Sequence, residues 1–156
     1  MRMNIFLITT QQAHIDMPTI ESSIWLALKS RIDTLGLGYP KAWPVEVFEV
    51  PHDGVKMLPY LRIGRVTVAP VRQLVSDGGP SWREGTLIVT LVYPLGQNAA
   101  AYDDIGGKIA YHFKDGTQMR YGNVCVSIIE YPHVQEGYED NGYWTVPVII
   151  SWRCFA

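Results

Sequence analysis

Apolar residues recur at helical spacing between residues 18 and 35. Ile20, Ile24, Ala27, Leu28, Ile32 and Leu35 form one stripe. Pro18 and Thr19 suit a helix start and Gly36 its end, so the spacing predicts a helix over 18–35. A second stripe, Tyr102, Ile105, Ile109 and Phe113, predicts a helix that Gln97 or Asn98 caps and that ends near Phe113. Gly106 and Gly107 each weaken it by about 1 kcal/mol relative to Ala, and close packing against a sheet would explain them.

Elsewhere the period is two. Residues 45–50 alternate between Pro44 and Pro51 and predict a short strand. His52-Asp53-Gly54 follows as a turn. Residues 60–69 alternate apolar and polar, with Leu61 and Ile63 facing in and Arg62 and Arg65 facing out. The parity slips near Gly64, where a bulge is expected. Residues 71–84 read as a loop of about 14 residues, longer than a turn needs. Residues 86–93 form a strongly apolar strand. Residues 123–131 and 143–155 close the chain as two strands, with Trp144, Val146, Val148, Ile150 and Trp152 sharing one face. Pro147 cannot donate to a ladder, which predicts a free edge on at least one side of the last strand, or a bulge. Residues 132–142 read as a long acidic hairpin loop ending in Asn141-Gly142.

The order is helix, three strands, helix, two strands. That predicts an α+β fold with a mostly antiparallel or mixed sheet of about five strands and two helices packed on one face. Residues 17–156 form the expected single domain, and residues 1–16, with the short apolar run at 5–8, read as an N-terminal extension. That run is too short for a signal h-region or a membrane span, so synthesis in the cytoplasm and no membrane association are expected.

Composition adds association to this picture. Hydrophobic residues make up 47% of the 156 residues and charged ones 18%, below the usual quarter for a soluble domain. A surface short of charge is one that association covers, so a homo-oligomer is expected. The net charge of −2 supplies no basic excess to hold nucleic acid. Between residues 121 and 152 there is no Lys or Arg, while Glu130, Glu136, Glu139 and Asp140 fall there. They predict an acidic surface, either solvated or turned to a partner or a channel.

Candidate chemistry is scarce. His14, His52, His112 and His133 lack helical metal-site spacing, and Cys125 and Cys154 lack a Cys-x-x-Cys partner. Both cysteines sit in strand-like runs, where they read as small buried hydrophobes unless the strands bring them together. Ser76, Ser81 and Ser127 have no nucleophile-elbow context. Gly36 and Gly38 follow a helix, and no third glycine completes a phosphate loop. No enzyme activity, cofactor or metal is expected.

One resemblance spans about residues 17–155. Its marks are the helix around Ile20-Glu21-Ser22-Ser23-Ile24-Trp25, the Trp43-Pro44 and Phe48 segment, and Tyr60-Leu61-Arg62 opening a strand. Gly85-Thr86-Leu87-Ile88-Val89, the helix ending at Phe113, and Val146-Pro147-Val148-Ile149 with Trp152-Arg153 follow in order. The chain resembles the tail terminator, or tail completion, proteins of phages with long non-contractile tails. The resemblance implies a structural protein of the virion tail, assembled in the bacterial host cytoplasm. It further implies a ring, typically a hexamer, that caps the tail tube and stops its polymerisation. Its partners would be the tail tube protein and a head-completion or connector protein, and DNA would pass the lumen without specific binding. Arg72, Trp82 and Arg83 in the 71–84 loop are of the types enriched in interface hot spots, and are the expected protein-interface residues. Two alternatives stay open: another head–tail connector or minor tail protein, and a small-molecule-binding α+β domain, which would need a deep apolar pocket.

Overall fold

The computed structural model describes residues 17–72 and 78–156, the side chain of Arg72 excepted. The apolar run at residues 5–8 lies outside the described residues.

Local chemistry starts both helices. Helix α1 (Ile20–Asp33) is capped by Thr19, whose Oγ1 accepts from the Ser22 N–H at 3.2 Å. Its expected stripe is the face it buries. Helix α2 (Ala99–His112) is capped by Asn98, whose Oδ1 accepts from the Ala101 N–H at 3.1 Å. The two glycines of α2 separate in role. A Cβ at Gly106 would lie 2.9 Å from Val134 Cγ1, whereas one at Gly107 would meet nothing within 4 Å. Close packing therefore accounts for the first glycine and not the second.

The strands, in chain order, are β1 (Lys41–Ala42), β2 (His52–Asp53), β3 (Lys56–Met57), β4 (Tyr60–Thr67), β5 (Val71–Arg72) and β6 (Ser81–Pro94) before α2. After it come β7 (Gln118–Tyr121), β8 (Val124–Ile128), β9 (His133–Val134), β10 (Tyr138–Asp140) and β11 (Tyr143–Phe155). Apart from a small β2–β3 hairpin, they make one sheet in the order β1-β4-β6-β11-β8-β7. Within it β5 sits on β6, and β9 and β10 sit on β11. The β1–β4 pair is parallel and the others are antiparallel. The fold is α+β, as the order of elements implies. Its main sheet has nine strands among the described residues, not about five, because short edge strands carry too little apolar periodicity to stand out.

Strands β6 and β11 form the spine, paired without interruption from Tyr143↔Pro94 to Phe155↔Trp82. Strand parity then sorts every side chain between two faces. Leu61, Ile63, Leu87, Val89, Leu91, Val146, Val148 and Ile150 point to one face and are buried under the helices. Each such side chain contributes about 1.5–3 kcal/mol through loss of water contact. Val66, Thr86, Ile88, Pro147, Ile149 and Phe155 point to the other face, which carries no helix among the described residues, and each stays partly or well exposed.

Four expectations are corrected here. Residues 45–50 are not a strand: Val45 takes a left-handed φ of 62°, and both Val45 and Val47 are fully exposed. Alternation without a surface to bury makes no strand, and the pairing falls instead to β1 upstream. Strand β4 has no bulge at Gly64, since its register with β6 runs unbroken from Tyr60↔Val92 to Thr67↔Gly85. Arg65 therefore shares the face of Leu61 and Ile63, with its guanidinium 4.6 Å over the Trp25 ring. The 71–84 stretch is not loop throughout, because β5 pairs with Ser81 and Trp82 and makes Trp82, Arg83 and Glu84 strand residues, while residues 73–77 lie outside the described residues. Residues 132–142 hold β9 and β10, and Asn141 (φ 50°) with Gly142 (φ 80°) closes a two-residue turn of the left-handed hairpin type.

Pro147 sits in a central strand. Its carbonyl accepts from the Gln135 N–H at 2.9 Å. Its ring nitrogen points to the same side, where β11 changes partner between β10 (through Thr145) and β9 (from Val148). The expected free edge is thus a break between two partner strands.

Candidate assembly surfaces

The residues expected at a protein interface do not form one patch. Trp82 and Arg83 are neighbours on β6 and so point to opposite faces. Trp82 lies on the bare face, its ring centroid 4.9 Å from that of Phe155, with the Arg153 guanidinium 5.0 Å from the ring. Arg153 is in turn held by Glu84, with Nε 2.8 Å from Oε1. Arg83 turns toward the helices and pairs with Glu21 at the start of α1. Hydrogen bonding to its own backbone N–H, with help from Arg83, holds the Glu21 carboxyl below the usual range despite opposing desolvation. Arg72 lies on β5 opposite Ser81, and its side chain is outside the described residues.

The acidic residues are all exposed. Glu139 and Asp140 lie on β10, Glu136 lies between β9 and β10, and Glu130 follows β8 and accepts from Ser151 Oγ at 2.9 Å. They follow the outer side of β11, along the edge of the sheet opposite β4.

A cavity of about 390 Å³ opens between α1, β4 and β6, with Ile24, Leu28, Arg65, Val68, Arg83 and Trp152 in its wall. Arg83 Nε and Trp152 Nε1 are buried and have no hydrogen-bond partner among the described residues. The cavity is open and its wall is mixed in charge, unlike the deep apolar pocket a small-molecule-binding domain would need.

The two cysteines are free and cannot meet side by side. Cys154 is opposite Val126, so Cys125, one residue away, faces the other side of the sheet. Burial pushes the Cys154 thiol up, which disfavours the thiolate. Among the described residues no group of three or more His, Cys, Asp and Glu could hold a metal ion.

The described residues thus present an open sheet, a bare face and unpaired edges, features that suit a part joined to others. A family profile described as "Phage tail terminator protein" matches residues 23–152. The chain belongs to the phage tail terminator family. It is therefore a structural protein of the phage tail, used in virion assembly. No curated protein matches the sequence. Three solved chains match. One of them, of a protein with no descriptive name, aligns with a TM-score of 0.66 at 19% identity, covering 84% of this chain and 92% of that chain. That likeness shows a shared fold. Among the described residues no helix is long and apolar enough to cross a membrane.

Sequence reasoning did not single out the bare face or the strand edges. Alternation at residues 86–93 fails because Thr90 and Val92, on the bare face, are also buried at their end of the strand. The signal that could have found the bare face was the persistence of apolar residues, Ile88 and Ile149, at the off-parity positions.

Proposed function

We propose that this family member forms a ring, most simply a hexamer, that caps the finished tail tube. In that position it stops tube polymerisation and offers the joining surface for the head-completion or connector protein. The observation that carries the reading is the terminator family match over residues 23–152. Three structural features support it. Among the described residues the sheet has unpaired edges and one of its faces has no helix layer, and the low charge count suits buried contacts between subunits.

In the same reading, Trp82, Arg83 and Arg72 serve an interface through the β5–β6 arm. Glu130, Glu136, Glu139 and Asp140 give an acidic surface that does not hold duplex DNA passing the lumen. Binding without phosphate neutralisation is weak, and the net charge of −2 offers no such neutralisation. Assembly takes place in the host cytoplasm, and the finished position is the virion tail.

The test is addition of the purified chain to growing tail tubes, with tube length and end density read by electron microscopy. Capped tubes of arrested length with a sixfold end density are expected. Tubes that continue to lengthen with bare ends would overturn the reading. A submicromolar, salt-sensitive affinity for duplex DNA would overturn the part that concerns the lumen.

A further inference from the structure

Two exposed strand edges of the open sheet, on β4 and on β10, carry unlike charge. Strand β4 is flanked by β1 only at Leu61 and Arg62. Beyond them, nothing among the described residues pairs with its outer side. The Leu61 N–H donates outward to Pro40 O at 2.9 Å, and the Val68 N–H donates inward to Glu84 O at 3.0 Å. Alternation between these two points makes Arg65 and Thr67 present their N–H and C=O groups outward. Arg65 is exposed and has no carboxylate partner among the described residues.

On the opposite side β10 is the outermost strand beside the start of β11. The two-residue turn at Asn141-Gly142 makes Asp140 and Tyr143 a hydrogen-bonded pair, so Glu139 directs its N–H and C=O outward. Glu139 lies opposite Trp144 and shares its parity, which places it on the helix-covered face, the face of Arg65. It too is exposed and has no cationic partner among the described residues.

We propose that β4 of one copy pairs edge to edge with β10 of a neighbouring copy, antiparallel, with Arg65 opposite Glu139. This rests on the ring reading above and names its contact. In that register the one β10 residue with outward backbone groups meets a β4 residue with outward backbone groups. Their side chains, of opposite charge, stand on the same face. On the bare face Val66, 56% exposed, comes opposite Tyr138, 47% exposed, and each covers the other. Asp140 comes opposite Gly64, diagonal to Arg62. The other outer strand, β7, runs in the same direction as β4 within the sheet, so with the faces matched it would meet a neighbour's β4 parallel and not antiparallel. A contact between two different edges is heterologous, so it propagates from copy to copy and closes when the rotation allows. It also removes two unpaired edges that would otherwise invite uncontrolled pairing.

The experiment uses the full chain, with Arg65→Glu and Glu139→Arg made singly, combined in one chain, and mixed as two singles. Self-association is read by light scattering over a concentration series and by occupancy of tube ends. Each single variant should stay folded, Arg65→Glu melting slightly lower for loss of its contact with Trp25, and should associate at least about tenfold more weakly, because like charges then face each other. The combined variant, and an equimolar mixture of the two singles, should recover association, since each restores an Arg–Glu pair. Wild-type association that both single variants match would overturn this contact and leave the ring reading standing. A wild-type chain that stays monomeric at every concentration and on tube ends would overturn the ring reading and the contact together.

Discussion

Ile149 and Ile150 are identical residues side by side on β11, yet they belong to different environments. Ile150 is fully buried under the helices, while Ile149 on the bare face is only partly covered. Among the described residues, one face of this sheet is covered by the helices and the other is not. The difference separates two kinds of apolar residue that composition merges: those that hold the fold, and those that no described part of the chain covers.

Truncation should separate them by the widest margin. Ile150→Ala is expected to cost about 2–5 kcal/mol, and Ile149→Ala less than about 1 kcal/mol, read as denaturant midpoints. Equal losses would mean that the bare face is as much a core as the covered one.

The neighbouring pair Trp82 and Arg83 sharpens the same contrast. Arg83→Ala frees Glu21 and should lower stability by about 1 kcal/mol, the side-chain pair being partly exposed. Trp82→Ala should leave the fold in place and reduce capping of tail tubes. A Trp82 variant that caps normally would remove the bare face from the interface.

Within α2 the two glycines should move in opposite directions. Gly107→Ala should stabilise by about 1 kcal/mol through helix propensity alone. Gly106→Ala should destabilise, because Val134 must shift to admit the methyl group. Thermal melts of the two variants decide this.

The smallest expected effect lies at the joint between the helices. The Arg31 guanidinium donates to His112 O at 2.7 Å, and His112 Nε2 lies 2.9 Å from both Arg31 O and Thr34 Oγ1. Burial, with Arg31 nearby, holds the imidazole below its ordinary value of 6.5. The folded chain therefore favours the neutral ring. The resulting stability is present above pH 6.5 and is lost as pH falls through the lower folded value. Melts between pH 7.5 and 5 should show this loss, and His112→Gln should flatten it.

The helices and the spine were legible because each buries a continuous stripe against the same face, so period and burial agree. The helix starts were readable for the same local reason, at Pro18-Thr19 and at Gln97 or Asn98, with the structure choosing Thr19 and Asn98 as the caps. Edge strands were not, since β5, β7, β9 and β10 are two to four residues long and mostly exposed. Their pairing is decided by turns and by neighbours distant in sequence. Residues 45–50 show the converse error: alternation between two prolines, with nothing beside it to pair. Trp82 and Arg83, the expected interface residues, were visible as types, but their separation to opposite faces depended on β6 beginning at Ser81, which only the pairing with β5 reveals.

Pro147 gives the molecule a seam. Between Thr145 and Val148 the spine holds its β6 partner continuously, while on the other side one ladder stops and another begins. The hairpin made by β10 can therefore separate from β11 without disturbing β9 or β6, as a cooperative unit of its own. Amide exchange would show this as faster labelling of Tyr138–Asp140 than of the spine. With the edge pairing proposed above, this seam would let a subunit adjust its β10 edge to a neighbour at little energetic cost, while its core keeps a single conformation.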